Sequence, residues 1–262
     1  MYSKEHLKYL KKIKRNKLII GISQILIFVI FIITWQILAN YKIIDTFIFS
    51  SPLLIIKTII NLYLKHHLLK HIWITLYETI ISFSLGTIIG IIIASILWWN
   101  KTLAKIIEPY LTILNSLPKV ALGPIIIIWF GSGIKSIIFM ALLISLIITI
   151  INVYQGFISI DKNKINLVRS FKATKYQIYK KLLLPGSINT IISSLKINIS
   201  MSLIGVIMGE FLVSKAGIGY LIVYGSQIFN LDLVITGIFI LCLLSAIMYY
   251  LIILLERKLI NH

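Results

Sequence analysis

The chain has 262 residues, 59% of them hydrophobic and 13% charged, with a mean hydropathy of +0.99. Too few charges remain to cover a soluble globule of this size, which excludes a soluble enzyme or binding module and leaves an integral membrane protein. A formal charge of +18 would suggest nucleic acid in a soluble protein, but here the Lys and Arg residues cluster beside apolar runs. In that position they set topology and meet anionic lipid headgroups, so no nucleic-acid partner is expected.

Residues 1–17 form a basic segment with Lys4, Lys8, Lys11, Lys12, Lys14, Arg15 and Lys17. The apolar run 18–41 is long enough to cross a ~30 Å hydrocarbon core. It exceeds a signal-peptide h-region, and Leu38-Ala39-Asn40 is not a small-x-small cleavage site, so an uncleaved first transmembrane helix is expected. Residues 42–73 read as an external amphipathic segment, broken at Ser50-Ser51-Pro52. His66, His67 and His71 lie in it without a nearby carboxylate or Cys to complete a metal site. No metal or other cofactor is expected in the chain, and Cys242 reads as a small buried hydrophobe.

A core over 74–257 carries five more spans, about Ile74–Trp99, Ile106–Phe130, Ile134–Tyr154, Ile188–Val213 and Leu233–Leu255, before a tail at 258–262. Gly86-x-x-x-Gly90 permits close helix approach. Pro118 and Pro124 each remove a backbone donor inside the third span, which predicts either a broken helix beside a substrate route or a packed kink. Gly131-x-Gly133-x-Lys135-Ser136 has the wrong spacing for a phosphate loop and reads as a turn. Asn115, Ser116, Ser145, Thr149, Asn152, Ser200 and Glu210, with the two prolines, are candidates to line a translocation path; interhelical hydrogen bonding is the other use of such residues. Lys196 and Glu210 lie about 21 Å apart along a straight helix and cannot pair within it. Glu78 is a third charge at membrane depth, and such charges are costly.

Between the fourth and fifth spans lies a polar, basic island, residues 161–186, with seven Lys and Arg. Asp161 is an N-cap for a helix over about 162–171, with Ile165, Val168 and Phe171 on one face. Thr174 and Gln177 make a capping box that starts a second helix at Lys175, and Pro185-Gly186 is expected to end it. The island therefore predicts a two-helix elbow with its corner at Lys172 to Thr174. Eighteen of the 26 Lys and Arg fall in the N-terminus, residues 98–105, the island and the tail. Six spans with this alternation put the elbow and both termini in the cytoplasm.

The elbow and its flanking spans resemble the permease subunit of a binding-protein-dependent ABC transporter, and most closely the nitrate, sulfonate and taurine type. That superfamily's cytoplasmic signature, E-A-A-x-x-x-G followed by I-x-L-P, falls in register on Asn166-Leu167-Val168, Lys172 and Leu182-Leu183-Leu184-Pro185. Spacing and proline match, while the Glu, both Ala and the Gly do not. Glu108-Pro109, Leu117 to Pro124, Trp129-Phe130-Gly131, Gly205 to Leu212, Gly217 to Ile222, Asp232-Leu233-Val234 and Leu255-Glu256-Arg257 extend the resemblance over about 50–262.

The resemblance implies an all-α, six-span permease in the bacterial inner membrane, non-catalytic itself and forming the path for a small solute. It implies a second permease copy, two ATPase subunits that hydrolyse ATP with Mg, and an external solute-binding protein. Asn166, Leu167, Val168, Arg169, Ser170, Phe171, Lys172, Ala173, Thr174 and Pro185 are then the ATPase-coupling residues. Where the family has Gly at the corner, Lys172 would cost roughly 1–2 kcal/mol if the turn needs φ > 0. The alternative reading is an ion-coupled secondary transporter working without an ATPase. Against it stand few membrane-depth carboxylates and no evident inverted repeat.

Overall fold

The computed structural model describes residues 4–260, which are helical with no strand. In chain order the helices are α1 (Lys4–Asn40), α2 (Thr46–Phe49), α3 (Pro52–Lys65), α4 (Leu68–Trp99), α5 (Lys101–Ser116), α6 (Gly123–Phe130) and α7 (Ile134–Ile158). They continue as α8 (Lys162–Ser170), α9 (Lys175–Ile178), α10 (Leu184–Gly186), α11 (Ile188–Val213), α12 (Ile218–Gln227) and α13 (Leu231–Ile260). Helices α1, α4, α7, α11 and α13 are each long and apolar enough to cross a membrane. The pair α5–α6 makes a sixth candidate span, bent by 87°. Residues 1–3, 261 and 262 of the expected N-terminal segment and tail lie outside the described residues.

Helix α7 is the centre of the fold, packed against α4 and α11, which also pack on each other. Gly86 and Gly90 of α4 face Ser145 and Thr149 of α7, so the small-residue repeat is a helix-packing seam. In the α7–α11 contact Gly205 of α11 meets α7 so closely that a Cβ there would sit 2.5 Å from the Ala141 Cα. In lipid, where tails are as apolar as leucine, close backbone approach supplies the van der Waals contact that holds helices together. Asn198 of α11 adds a polar tie, its side-chain amide donating to Thr87 Oγ1 of α4 at 2.7 Å.

The third predicted span is not one helix. Leu117 precedes Pro118 and is held extended (φ −67, ψ 133), which stops α5; a 3₁₀ turn at Lys119–Leu122 then leads into α6. Proline's ring disfavours the α region for the residue before it, so the break falls where the sequence requires. Asn100 alone joins α4 to α5, capping α5 with its side-chain oxygen accepting from Thr102 and Leu103 N–H.

Helices α3, α12 and α13 pack on the start of α4 through Leu62, Leu68, Ile218, Leu221, Ile222 and Leu233. Ser50, buried after α2, donates to Asp232 at the start of α13 at 2.5 Å. Helix α1 stands apart: of its described side chains only Ala39 is buried, and Gln36 Oε1 accepts from Leu53 N at 3.1 Å. It is one continuous helix from Lys4, with no break between the basic segment and the apolar run.

Candidate functional site

The elbow is built from local signals. Asp161 caps α8, its carboxylate accepting from Asn163 N at 2.8 Å. Helix α8 ends in a Schellman motif, with Lys172 N–H donating to Arg169 O and Ala173 N–H to Val168 O. The residue this motif places in the left-handed region is Lys172, at φ +57. The corner therefore has the geometry a glycine would favour and carries a lysine instead. Thr174 then opens α9 with a complete capping box: Gln177 N–H donates to Thr174 Oγ1 and Thr174 N–H to Gln177 Oε1 at 2.8 Å.

The second elbow helix does not stop at Pro185-Gly186, contrary to the reading of that pair as a terminator. Tyr179–Leu183 forms a π turn, in which Leu184 N–H bonds Tyr179 O, and α10 continues almost directly into α11. Pro185 lacks the donor for a regular turn, and the widened ring before it absorbs the missing bond. The wide turn also aims Tyr179 into the fold, where its hydroxyl lies 2.7 Å from Ser95 Oγ of α4. Trp98, Trp99 and Phe157 surround its ring at centroid distances of 5.8, 6.2 and 6.1 Å. Beneath it Ala94, Val153, Phe157 and Leu183 form a buried cluster joining α4, α7 and the π turn. The elbow is thus clamped to the ends of three core helices.

Helix α8 has two faces. Lys162, Ile165, Asn166 and Arg169 turn back toward the α4–α5 junction and line a cavity with Trp98 to Lys101. Leu167 (59% exposed) and Phe171 (77% exposed) point away from the chain, with Ser170 and Lys172 beside them. Of the remaining coupling candidates, Val168 and Ala173 are half-buried, and Thr174 and Pro185 are exposed.

At the other end of the core helices lies a buried polar knot. Glu210 of α11, 1% exposed, accepts at Oε1 from Thr75 of α4 (2.6 Å) and at Oε2 from Gly219 N of α12 (2.5 Å). Thr75 Oγ1 in turn accepts from Ile218 N at 2.9 Å, and His71 Nδ1 accepts from Gly217 N at 3.0 Å. A carboxylate and two neighbours from other helices thus cap the first turn of α12, satisfying donors a helix start leaves open. Gly217 (φ +116) lets the loop pass over Glu210, because a Cβ there would overlap the carboxylate. Glu78 of α4 adjoins the Glu210 carboxylate, is 1% exposed, and meets no hydrogen-bond donor from any other described residue. It borders a cavity of about 290 Å³ whose rim includes Ser132, Ser214 and Lys215.

The path candidates are scattered. Asn115, Ser116, Pro118 and Pro124 lie exposed along α5, the break and α6. Ser145 and Thr149 are buried in the α4–α7 seam, Asn152 and Ser200 are half-buried, and Glu210 is in the knot. Lys196 pairs with Glu256 of α13 at 2.7 Å. The sequence reading missed Thr75 as the partner of Glu210, and Tyr179 and Trp98 as the seat of the elbow. No local pattern in the sequence marked these residues as partners.

The described residues thus form a polytopic helical core with a two-helix elbow packed on one end of it and a polar knot at the other. The chain belongs to the binding-protein-dependent transport system inner membrane component family, whose model matches residues 86–261. A Haemophilus influenzae chain named as a probable ABC transporter permease protein is 28% identical over 87% of this chain and 93% of its own length. The Bacillus subtilis SsuC chain, named as a putative aliphatic sulfonates transport permease protein, is 25% identical over 88% of this chain and 84% of its own. Inward-facing MetNI, a methionine ABC transporter, has a chain of the same fold, with a TM-score of 0.66, 20% identity and coverage of 73% of this chain and 95% of that one. The chain is accordingly the membrane-spanning permease subunit of a binding-protein-dependent ABC importer.

Proposed function

We propose that two copies of this chain form the translocation unit, and that two separate ATPase subunits, each binding ATP and Mg, grip the outward face of the elbow around Leu167, Ser170, Phe171 and Lys172. The observation that carries this is the division of labour within the elbow: Leu167 and Phe171 are exposed beyond the chain, while Tyr179 and Leu183 of the π turn pack on α4 and α7. Exposed leucine and phenylalanine on a helix corner suit a partner's apolar groove. A rigid corner continuous with a span suits transmission of rigid-body motion.

In this reading the elbow and both chain ends face the cytoplasm, as the lysine distribution favours, and the protein resides in the bacterial inner membrane. The polar knot then faces outward, where an external binding protein delivers a small solute, an aliphatic sulfonate being the candidate suggested by the SsuC relative. The exposed α5–α6 surface, with Asn115 and Ser116, faces the second copy. Replacing Phe171 to Thr174 with Gly-Ser residues tests the assignment. Insertion is expected to persist while ATPase co-purification and ATP-dependent uptake are lost; normal co-purification of that variant would refute the proposed docking.

A further inference from the structure

Behind the elbow lies a cavity of about 490 Å³ between the α4–α5 junction and the inner face of α8. Its wall carries Lys101, Lys162, Arg169 and Lys175, with Trp98 and Trp99, and no acidic side chain. Lys175 is already committed: its ammonium donates to the Trp99 carbonyl and stands over the Trp98 and Trp99 rings at 5.8 and 5.4 Å. Lys101, Lys162 and Arg169 have no acidic partner, the one ion pair among the described residues being Lys196–Glu256. Asp161, the nearest acid in sequence, is engaged in capping α8. Like charges around one concavity repel, so the arrangement calls for an anion. The height of the cavity identifies its source, because Trp98 and Trp99 end a 32-residue apolar helix, the level at which indole rings sit among headgroups.

We propose that this cavity binds the phosphodiester of an anionic phospholipid headgroup, wedged between the core and the elbow. Arg169 offers the planar fork that matches phosphate oxygens, and Lys101 and Lys162 supply point charges on either side. The lining residues of α8 sit at i, i+3, i+4 and i+7, its inward stripe, while Leu167 and Phe171 occupy the outward one. One short helix thus presents different faces to lipid and to a protein partner.

The test uses the purified full-length chain in nonionic detergent, without any ATPase, so that its outcome is independent of the coupling assignment. Dioleoylphosphatidylglycerol and dioleoylphosphatidylcholine binding is read by native mass spectrometry. The anionic lipid is expected to bind preferentially, and Lys101→Gln with Lys162→Gln to weaken it about thirtyfold, the loss expected for two charges near an anionic surface. Lys101→Arg with Lys162→Arg should retain the preference, which separates charge loss from misfolding. Lys180→Gln with Lys181→Gln, on the same elbow but outside the cavity, should also retain it. Equal loss in that control, no preference in the unaltered chain, or equally tight binding of inorganic phosphate would overturn the proposal. Unchanged lipid preference in the Gln variant would equally overturn it.

Discussion

Thr75 and Glu210, 135 residues apart, meet at 2.6 Å, and the same threonine hydroxyl accepts from Ile218 N, so a single side chain ties α4, α11 and α12 together. Thr75→Val keeps the shape but leaves a buried carboxylate oxygen and a buried N–H unsatisfied. It is expected to cost about 1–3 kcal/mol, while Thr75→Ser retains most of the stability. Thermal unfolding in detergent distinguishes the two. Equal stability of Val and Ser variants would show that the bond contributes little.

Glu78 lies against the engaged Glu210, and among the described residues it meets no other donor and no cation pairs with either carboxylate. Burial of a carboxylate without a partner is unfavourable, and apolar or neutral replacements at such positions frequently stabilise. Glu78→Gln, which adds an amide donor facing Glu210, should raise the unfolding temperature, by an amount equivalent to about 1–4 kcal/mol. A lowered unfolding temperature together with lost transport would mean that the carboxylate is satisfied in another state of the transport cycle.

Gly205→Ala places a methyl against the Ala141 backbone. Overpacking at such a seam costs about 1–3 kcal/mol, because α7 and α11 must separate. Gly21→Ala, where a Cβ would meet nothing within 4 Å, is the control and should stabilise by up to about 1 kcal/mol through helix propensity alone. Comparing their unfolding midpoints checks that the α7 seam, rather than helix propensity, sets the effect.

Lys172→Gly should stabilise the corner by about 1–2 kcal/mol, the cost of a left-handed L-residue. Hydrogen exchange at Lys172 and Ala173 N–H, the donors of the Schellman bonds, reports it directly. Faster exchange in the variant would contradict the strain argument, the flexibility glycine adds to the unfolded chain being the opposing effect.

Leu167→Ala with Phe171→Ala removes the exposed tip without touching the buried clamp. Stability should stay within about 0.5 kcal/mol, as for surface substitutions, while ATPase affinity falls at least tenfold, each lost anchor typically being worth more than about 1 kcal/mol. Titration of labelled ATPase against both forms measures it.

The local features of the elbow were legible because capping is written within three residues: Asp161 and the Thr174–Gln177 box sit where the sequence places them. The helix packing at Gly86 and Gly90 was legible for the same reason. The right-angled third span was not, because an apolar run with two prolines reads alike whether the halves are kinked or turned through 87°. Pro185 misled as a terminator because a π turn upstream can absorb a missing donor without ending the helix. Thr75, Tyr179 and the isolation of Glu78 depend on neighbours more than 80 positions away, and no local pattern encodes such partners.

No loop interrupts the chain from Lys175 to Val213: the π turn, α10 and α11 follow one another with only a single-residue irregularity at Ser187. The segment that begins one residue after the Thr174 cap therefore ends three residues beyond Glu210. On the docking proposed above, a push on the corner meets no intervening loop on its way to the Glu210 knot; the elbow and the opposite end of the core are joined by the polypeptide itself.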